Sequence, residues 1–183
     1  MPNENAREAM LRRREAARKF QPKRIRLLLI AEAPPVAPAP YFYEMESGAE
    51  PLFDGVCEVM FEEKPDPASR PAYLAALKRR GAFAIELDPE GKGEGAGDAD
   101  RAAWLVIRCQ ELDPEKIVLV GARVESAGRR LLEKAKLPVL PVSAPDPAKD
   151  PIEFRRELRR AVVKAGLEAL IRPLPQPKRK KLD

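Results

Sequence analysis

In IRLLLIAEAPPVAPAPYFY, residues 25–43, a continuous apolar run stops abruptly at one carboxylate and a pair of prolines. From Ile25 to Ile30 only Arg26 is charged, which suits a short strand buried on both faces. Ala31-Glu32-Ala33-Pro34-Pro35 then ends the ladder, because proline has no N–H to donate and restricts the residue before it. Ligands of open α/β sheets sit at the carboxyl ends of such strands, so Glu32 is a candidate site residue. The plainer reading of the same residues is a rigid exit from a strand with no chemistry.

Moving outward from this strand, an amphipathic helix capped by Asn3 or Asn5 is expected to run to about Phe20, with Met10, Ala17 and Phe20 on one face. After the strand, a long loop to Pro51 carries Tyr41-Phe42-Tyr43, and three adjacent aromatics favour burial over disorder. Helices are expected over Val56 to Phe61 and from Pro67–Arg70 onward, the second with Tyr73, Leu74 and Leu77 inward and Gly81 as its cap. Ala82 to Ile85 reads as a second strand, ending at Glu86-Leu87-Asp88-Pro89. GKGEGAG, Gly91 to Gly97, has the glycines of a phosphate loop but no following GK[ST] and no preceding strand at the right distance, and reads as a mobile surface connection.

A helix over Ala102 to Leu112 follows, with Trp104 expected against the sheet, and then a buried strand, Lys116 to Gly121. Next come a helix from about Val124 to Ala135 and a proline-weakened fourth strand, Leu137 to Val142, suited to an edge. Ser143-Ala144-Pro145-Asp146-Pro147 forms a second stiff loop before a last helix, Ile152 to about Ala165. Alternating strands and helices predict an α/β domain: a three-layer α/β/α sandwich with a short, four-stranded, mainly parallel sheet. The division is a basic helical segment over 1–22, the domain over 23–171, and a disordered basic tail over 172–183.

The net charge of +5 is unevenly spread. Residues 1–26 carry a net +6 and residues 172–183 a net +4, so the body between them is mildly acidic at −5. From Leu27 to Glu63 there are eight acidic residues and no basic one, a surface that repels phosphates. There is no histidine, which excludes histidine acid–base catalysis, Ser-His triads and histidine metal sites. Two cysteines, Cys57 and Cys109, cannot make a disulfide framework or a four-cysteine cluster. With no apolar run near 20 residues and no apolar leader, the expectation is a cytoplasmic monomer without metal cluster, cofactor or membrane attachment.

The ordered set of motifs resembles the uracil-DNA glycosylase superfamily, over roughly residues 23–165. LLLIAEAPP (Leu27 to Pro35) is similar to its first motif, of the type GEAPG, nearest to the iron–sulphur branch. PLFDG (Pro51 to Gly55) is similar to the segment whose phenylalanine stacks on the extruded base. KIVLVGARVESAGRRLL (Lys116 to Leu132) resembles its third-strand unit, and PVSAPDP (Pro141 to Pro147) falls where the second motif belongs. The resemblance implies DNA or a nucleobase as ligand and hydrolysis of an N-glycosidic bond in DNA repair, with Glu32 as the catalytic carboxylate. It implies Ala33, Pro34 and either Phe53 or Tyr43 (or Phe42) as pocket and stacking residues. Glu86 or Asp88 would read the base, and Ser143, Ala144 and Asp146 would form the second-motif loop. An aromatic ring there would replace stacking lost by a base leaving the helix, worth about 1–3 kcal/mol. Ordinary structural roles also fit: Phe53 in the core, Glu32 as a cap or ion-pair member, Asp88 opening a turn.

Departures from the pattern are specific. Ala144 stands where members that cut uracil commonly have histidine, an acid replaces the asparagine that reads uracil, and the cluster cysteines are missing. These favour a divergent or catalytically silent member. Two alternatives stand beside it: a relative that binds nucleic acid through its basic termini, and a protein for a free nucleobase or nucleotide.

Overall fold

The computed structural model describes residues 4–35, 40–44, 48–91 and 97–175. Among them, helices α1 (Glu4–Phe20), α2 (Pro51–Phe61), α3 (Arg70–Arg80), α4 (Asp98–Leu112), α5 (Ala122–Lys134) and α6 (Pro151–Lys164) alternate with strands β1 (Leu27–Ala31), β2 (Ala82–Glu86) and β3 (Ile117–Leu119). The sheet order is β2-β1-β3, all parallel, with Leu27 opposite Ala82 and Leu28 opposite Ile117. The apolar run therefore supplies the central strand, and all five residues of β1 are buried. β1 to β2 and β2 to β3 cross the sheet in opposite directions, so right-handed crossovers put α2–α3 and α4 on opposite faces. Helix packing follows those pairs, α2 against α6 and α4 against α5.

A fourth strand over Leu137 to Val142 does not form, so the expected four-stranded sheet is corrected to three strands. Two isolated parallel bridges, Ile117 to Val139 and Val120 to Ala144, take its place beside β3. Pro138 and Pro141 supply no N–H, so from this segment only Leu140 and Ala144 donate to β3, to Ile117 (2.8 Å) and Leu119 (2.9 Å), while the Pro138 carbonyl accepts from Ile117 (2.9 Å).

β2 is an edge strand, and the aromatic loop seals it. The Tyr43 hydroxyl donates to the Ala84 carbonyl (3.0 Å) and accepts from the Ala84 N–H (2.7 Å), satisfying both outward groups of that residue. Phe20 of α1 stacks on the Tyr43 ring at 6.1 Å. Arg70 clamps the loop from below, donating to the carbonyls of Tyr41, Phe42 and Glu44 at 2.7–3.0 Å. Its guanidinium also lies 3.9 Å above the Phe53 ring centre, a cation–π contact. Glu50 caps α2, accepting from the N–H groups of Leu52 and Phe53. Gly55 lets α6 approach, since a Cβ there would come within 2.6 Å of the Phe154 ring.

The domain reaches further than expected at its carboxyl end. Arg80 donates to the carbonyls of Met60, Leu170 and Pro173, and the Arg172 N–H donates to the Met60 carbonyl, so Arg172 and Pro173 are tied to the body. The lysine-rich end and the glycine-rich 92–96 segment lie outside the described residues. No described helix is long and apolar enough to cross a membrane.

Candidate functional site

Glu32 follows the last residue of β1 and remains half-buried at the carboxyl edge of the sheet. One carboxylate oxygen accepts the backbone N–H of Arg123, 3.1 Å away, in the first turn of α5. A helix N-terminus offers unpaired N–H groups and favours negative charge, so the acid is held in one orientation. Gly121 makes room for it. A Cβ on Gly121 would lie 2.3 Å from the Glu32 Oε1, and its φ of +95° is one that glycine adopts freely.

Beside Glu32 the chain assembles a charge cluster from three segments. Asp88, 1% exposed, follows β2; its backbone N–H donates to the Glu32 carbonyl at 2.9 Å. Its carboxylate faces Arg123 (3.4 Å) from α5 and Arg101 (3.6 Å) from α4. Arg123 forks onto both oxygens of Asp98 at 2.7 and 3.0 Å, and Arg101 joins the same carboxylate at 2.6 Å. The Arg123 hydrogen bonds hold the Asp98 carboxyl down to about 2, and Asp98 in turn raises Arg123 above the ordinary arginine range. Two acids and two bases thus balance, tying the starts of α4 and α5 to the end of β2. Glu32 stands outside this exchange, with its side chain on a backbone donor.

The second-motif loop meets the same edge only in part. Ala144 is buried, and its carbonyl accepts the Gly121 N–H at 2.9 Å, so it lies next to the glycine that accommodates Glu32. Ser143 is half-buried beside it. Asp146 turns back into its own loop, accepting the Ala148 N–H at 2.9 Å. Pro34 is buried and Ala33 half-buried where the chain leaves β1.

The expected stacking rings are elsewhere. Phe53 is 1% exposed, with Arg70 over its face and Phe42 edge-on at 5.5 Å, so it offers no open face to a base. Tyr43 is buried and spends its hydroxyl on β2. Both belong to the core. Of the two base-reading candidates, Asp88 belongs to the charge cluster, while Glu86 is half-buried, and its removal from water raises the carboxyl pKa despite the nearby Arg108.

Glu86 and Asp88 also line a groove of about 870 Å³ between α1 and α4. Trp104 stands on its wall, 71% exposed, correcting the expectation that it packs on the sheet. The inward stripe of α4 is Ala102, Leu105 and Cys109, and Trp104 lies off it. Sequence reading missed Asp98, Arg101 and Arg123 as partners, although an arginine two residues after the strand-ending Gly121 was the available signal. No family model, curated protein or solved structure matches the chain.

Proposed function

We propose that this chain is a uracil-DNA-glycosylase-like protein that binds DNA or an extruded, modified base at the carboxyl edge of its parallel sheet. The observation that carries this reading is Glu32: one carboxylate, after the last residue of the central strand, oriented by the start of α5 and accommodated by Gly121. A carboxylate fixed in this way suits the positive charge that develops on a sugar as its base leaves. The motif order supports the same ligand class, with the half-buried Glu86 at the end of β2 as a group for a base.

Binding fits the residues better than rapid turnover. Hydrolysis requires water to add at the sugar carbon as the carbon–nitrogen bond breaks, with the bonding pair leaving on the base. Buried Ala144 has no side-chain donor to meet that charge, and both Arg123 and Arg101 are engaged by Asp98. The test is duplex binding at low salt, comparing an undamaged duplex with a panel bearing single deaminated or alkylated bases, together with strand cleavage after alkali. Preference for a modified duplex, lost in Glu32→Ala, is the expected result. Equal affinity for every duplex, unchanged by Glu32→Ala and with no excision, overturns the reading.

A further inference from the structure

The groove between α1 and α4 is large enough for a small organic ligand, and its lining is unusual for a packing defect. Leu105, Phe83 and Leu87 make an apolar floor, and Trp104 presents a wide ring above it with most of its surface in water. Arg14 and Arg18 project from α1, and Arg108 from α4, onto the same space. None of these three takes part in an ion pair among the described residues, unlike Arg101 and Arg123, which are held by acids. Four acids, Glu86, Asp88, Glu90 and Glu111, also line the groove; Asp88 is committed to the neighbouring arginines, and burial favours the neutral form of Glu86.

We infer that this groove binds a nucleobase with its phosphate, the base stacked on Trp104 and the phosphate met by Arg14, Arg18 and Arg108. Flat aromatic rings and mobile guanidinium groups on facing walls are the combination that takes unpaired nucleotides without reading their sequence. Anionic ligands lacking a ring would use the arginines but not the tryptophan, and apolar ligands the reverse. Joint use of both is what selects the nucleotide class. The inference takes its ligand class from the reading proposed above, but its residues are different from Glu32 and its neighbours. Two sources could supply this chemistry, a single strand leading to the carboxyl edge or a free nucleotide, and the experiment separates them.

Trp104 is the only tryptophan in the chain, so its fluorescence reports directly on the groove. The full-length protein is titrated with an eight-residue oligothymidylate and, separately, with thymidine monophosphate. Saturable quenching is expected, with an affinity that falls as salt rises. Quenching by the oligonucleotide at far lower concentration identifies a strand; equal quenching per nucleotide identifies the free ligand. Arg14→Ala with Arg18→Ala, both exposed positions, should weaken binding several-fold, and Arg108→Ala should do the same. For Trp104→Ala, anisotropy of a labelled oligonucleotide or nucleotide replaces fluorescence, and about a tenfold loss is expected from removing one stacked base. No quenching by either probe, or quenching indifferent to salt and to the arginine changes, overturns the inference. Glu32→Ala serves as the separating control: unchanged quenching, with or without duplex preference at the carboxyl edge, leaves the groove standing by itself.

Discussion

Two of the buried arginines, Arg70 and Arg123, keep opposite company. Arg70, 1% exposed, is surrounded by carbonyl oxygens and an aromatic ring, and burial lowers its pKa. Arg123, 7% exposed, is held by the carboxylates of Asp98 and Asp88, and its pKa is raised. The first donates to backbone carbonyls and pins a loop, with Glu50 and Asp54 acting on it without a salt bridge. The second joins three chain segments at the edge where Glu32 stands. The contrast explains why the aromatic loop, whose Tyr43 and Phe42 were second candidates for stacking on a base, is a structural seal. It also explains why the chemistry gathers around β1, α4 and α5.

The largest effect should come from the seal. Replacing Arg70 with methionine keeps bulk but leaves the buried carbonyls of Tyr41 and Phe42 without a donor. An unsatisfied buried acceptor costs about 1–3 kcal/mol, so a loss of about 3 kcal/mol or more in denaturant unfolding is expected. A loss below about 1 kcal/mol would mean that the loop does not depend on this clamp and that the contrast between the arginines is overstated.

At the other region the effect should be smaller and more specific. Gly121→Ala adds a methyl against the Glu32 carboxylate and forces alanine into a φ of +95°. Backbone strain of this type costs about 1–3 kcal/mol. Part of that cost is the collision itself, so it should not add to that of Glu32→Ala. In a double-mutant cycle the pair should be more stable than the sum of the singles predicts. Simple additivity would show that the glycine serves the turn alone and not the placement of Glu32.

These tests bear on what a one-dimensional reading can reach. β1 and β3 were legible because an unbroken apolar run between turn residues has few other uses in a chain of this composition. The positions of Glu32 and Asp88, just past strand ends, were legible for the same reason, while the arginines that meet Asp88 were not. The fourth strand was misread because LPVLPV has strand hydrophobicity, while its prolines withhold the N–H groups a ladder needs. Trp104 was misread because size suggests burial, whereas position on the helix decides it, and the inward stripe was already filled by smaller residues. The buried arginines left only an indirect trace. A long acidic stretch without a base must draw its cations from elsewhere, but sequence does not say from where.

The smallest expected effect distinguishes the two regions by pH. Asp98 titrates at about 2 in the folded protein, below the ordinary aspartate value of 3.8, chiefly because Arg123 donates to it. A folded pKa below the unfolded one contributes stability that is fully present above the unfolded value. That contribution is lost as pH falls from about 4 towards 2. Asp98→Asn should therefore be less stable than the parent at neutral pH, with the gap closing over that acid range. Asp98 lies near the surface, so the gap should also shrink in high salt. Arg70 makes no salt bridge among the described residues, and burial raises the pKa of Glu50 and Asp54, carboxyls that act on it. The cost of Arg70→Met should therefore not follow the acid-range closing expected for Asp98→Asn. Following the Asp98 carboxyl carbon by NMR through the acid range gives the direct check. A titration at the ordinary aspartate value would leave Arg123 a poorly paired buried cation and remove the charge balance that sets the carboxyl edge apart from the seal.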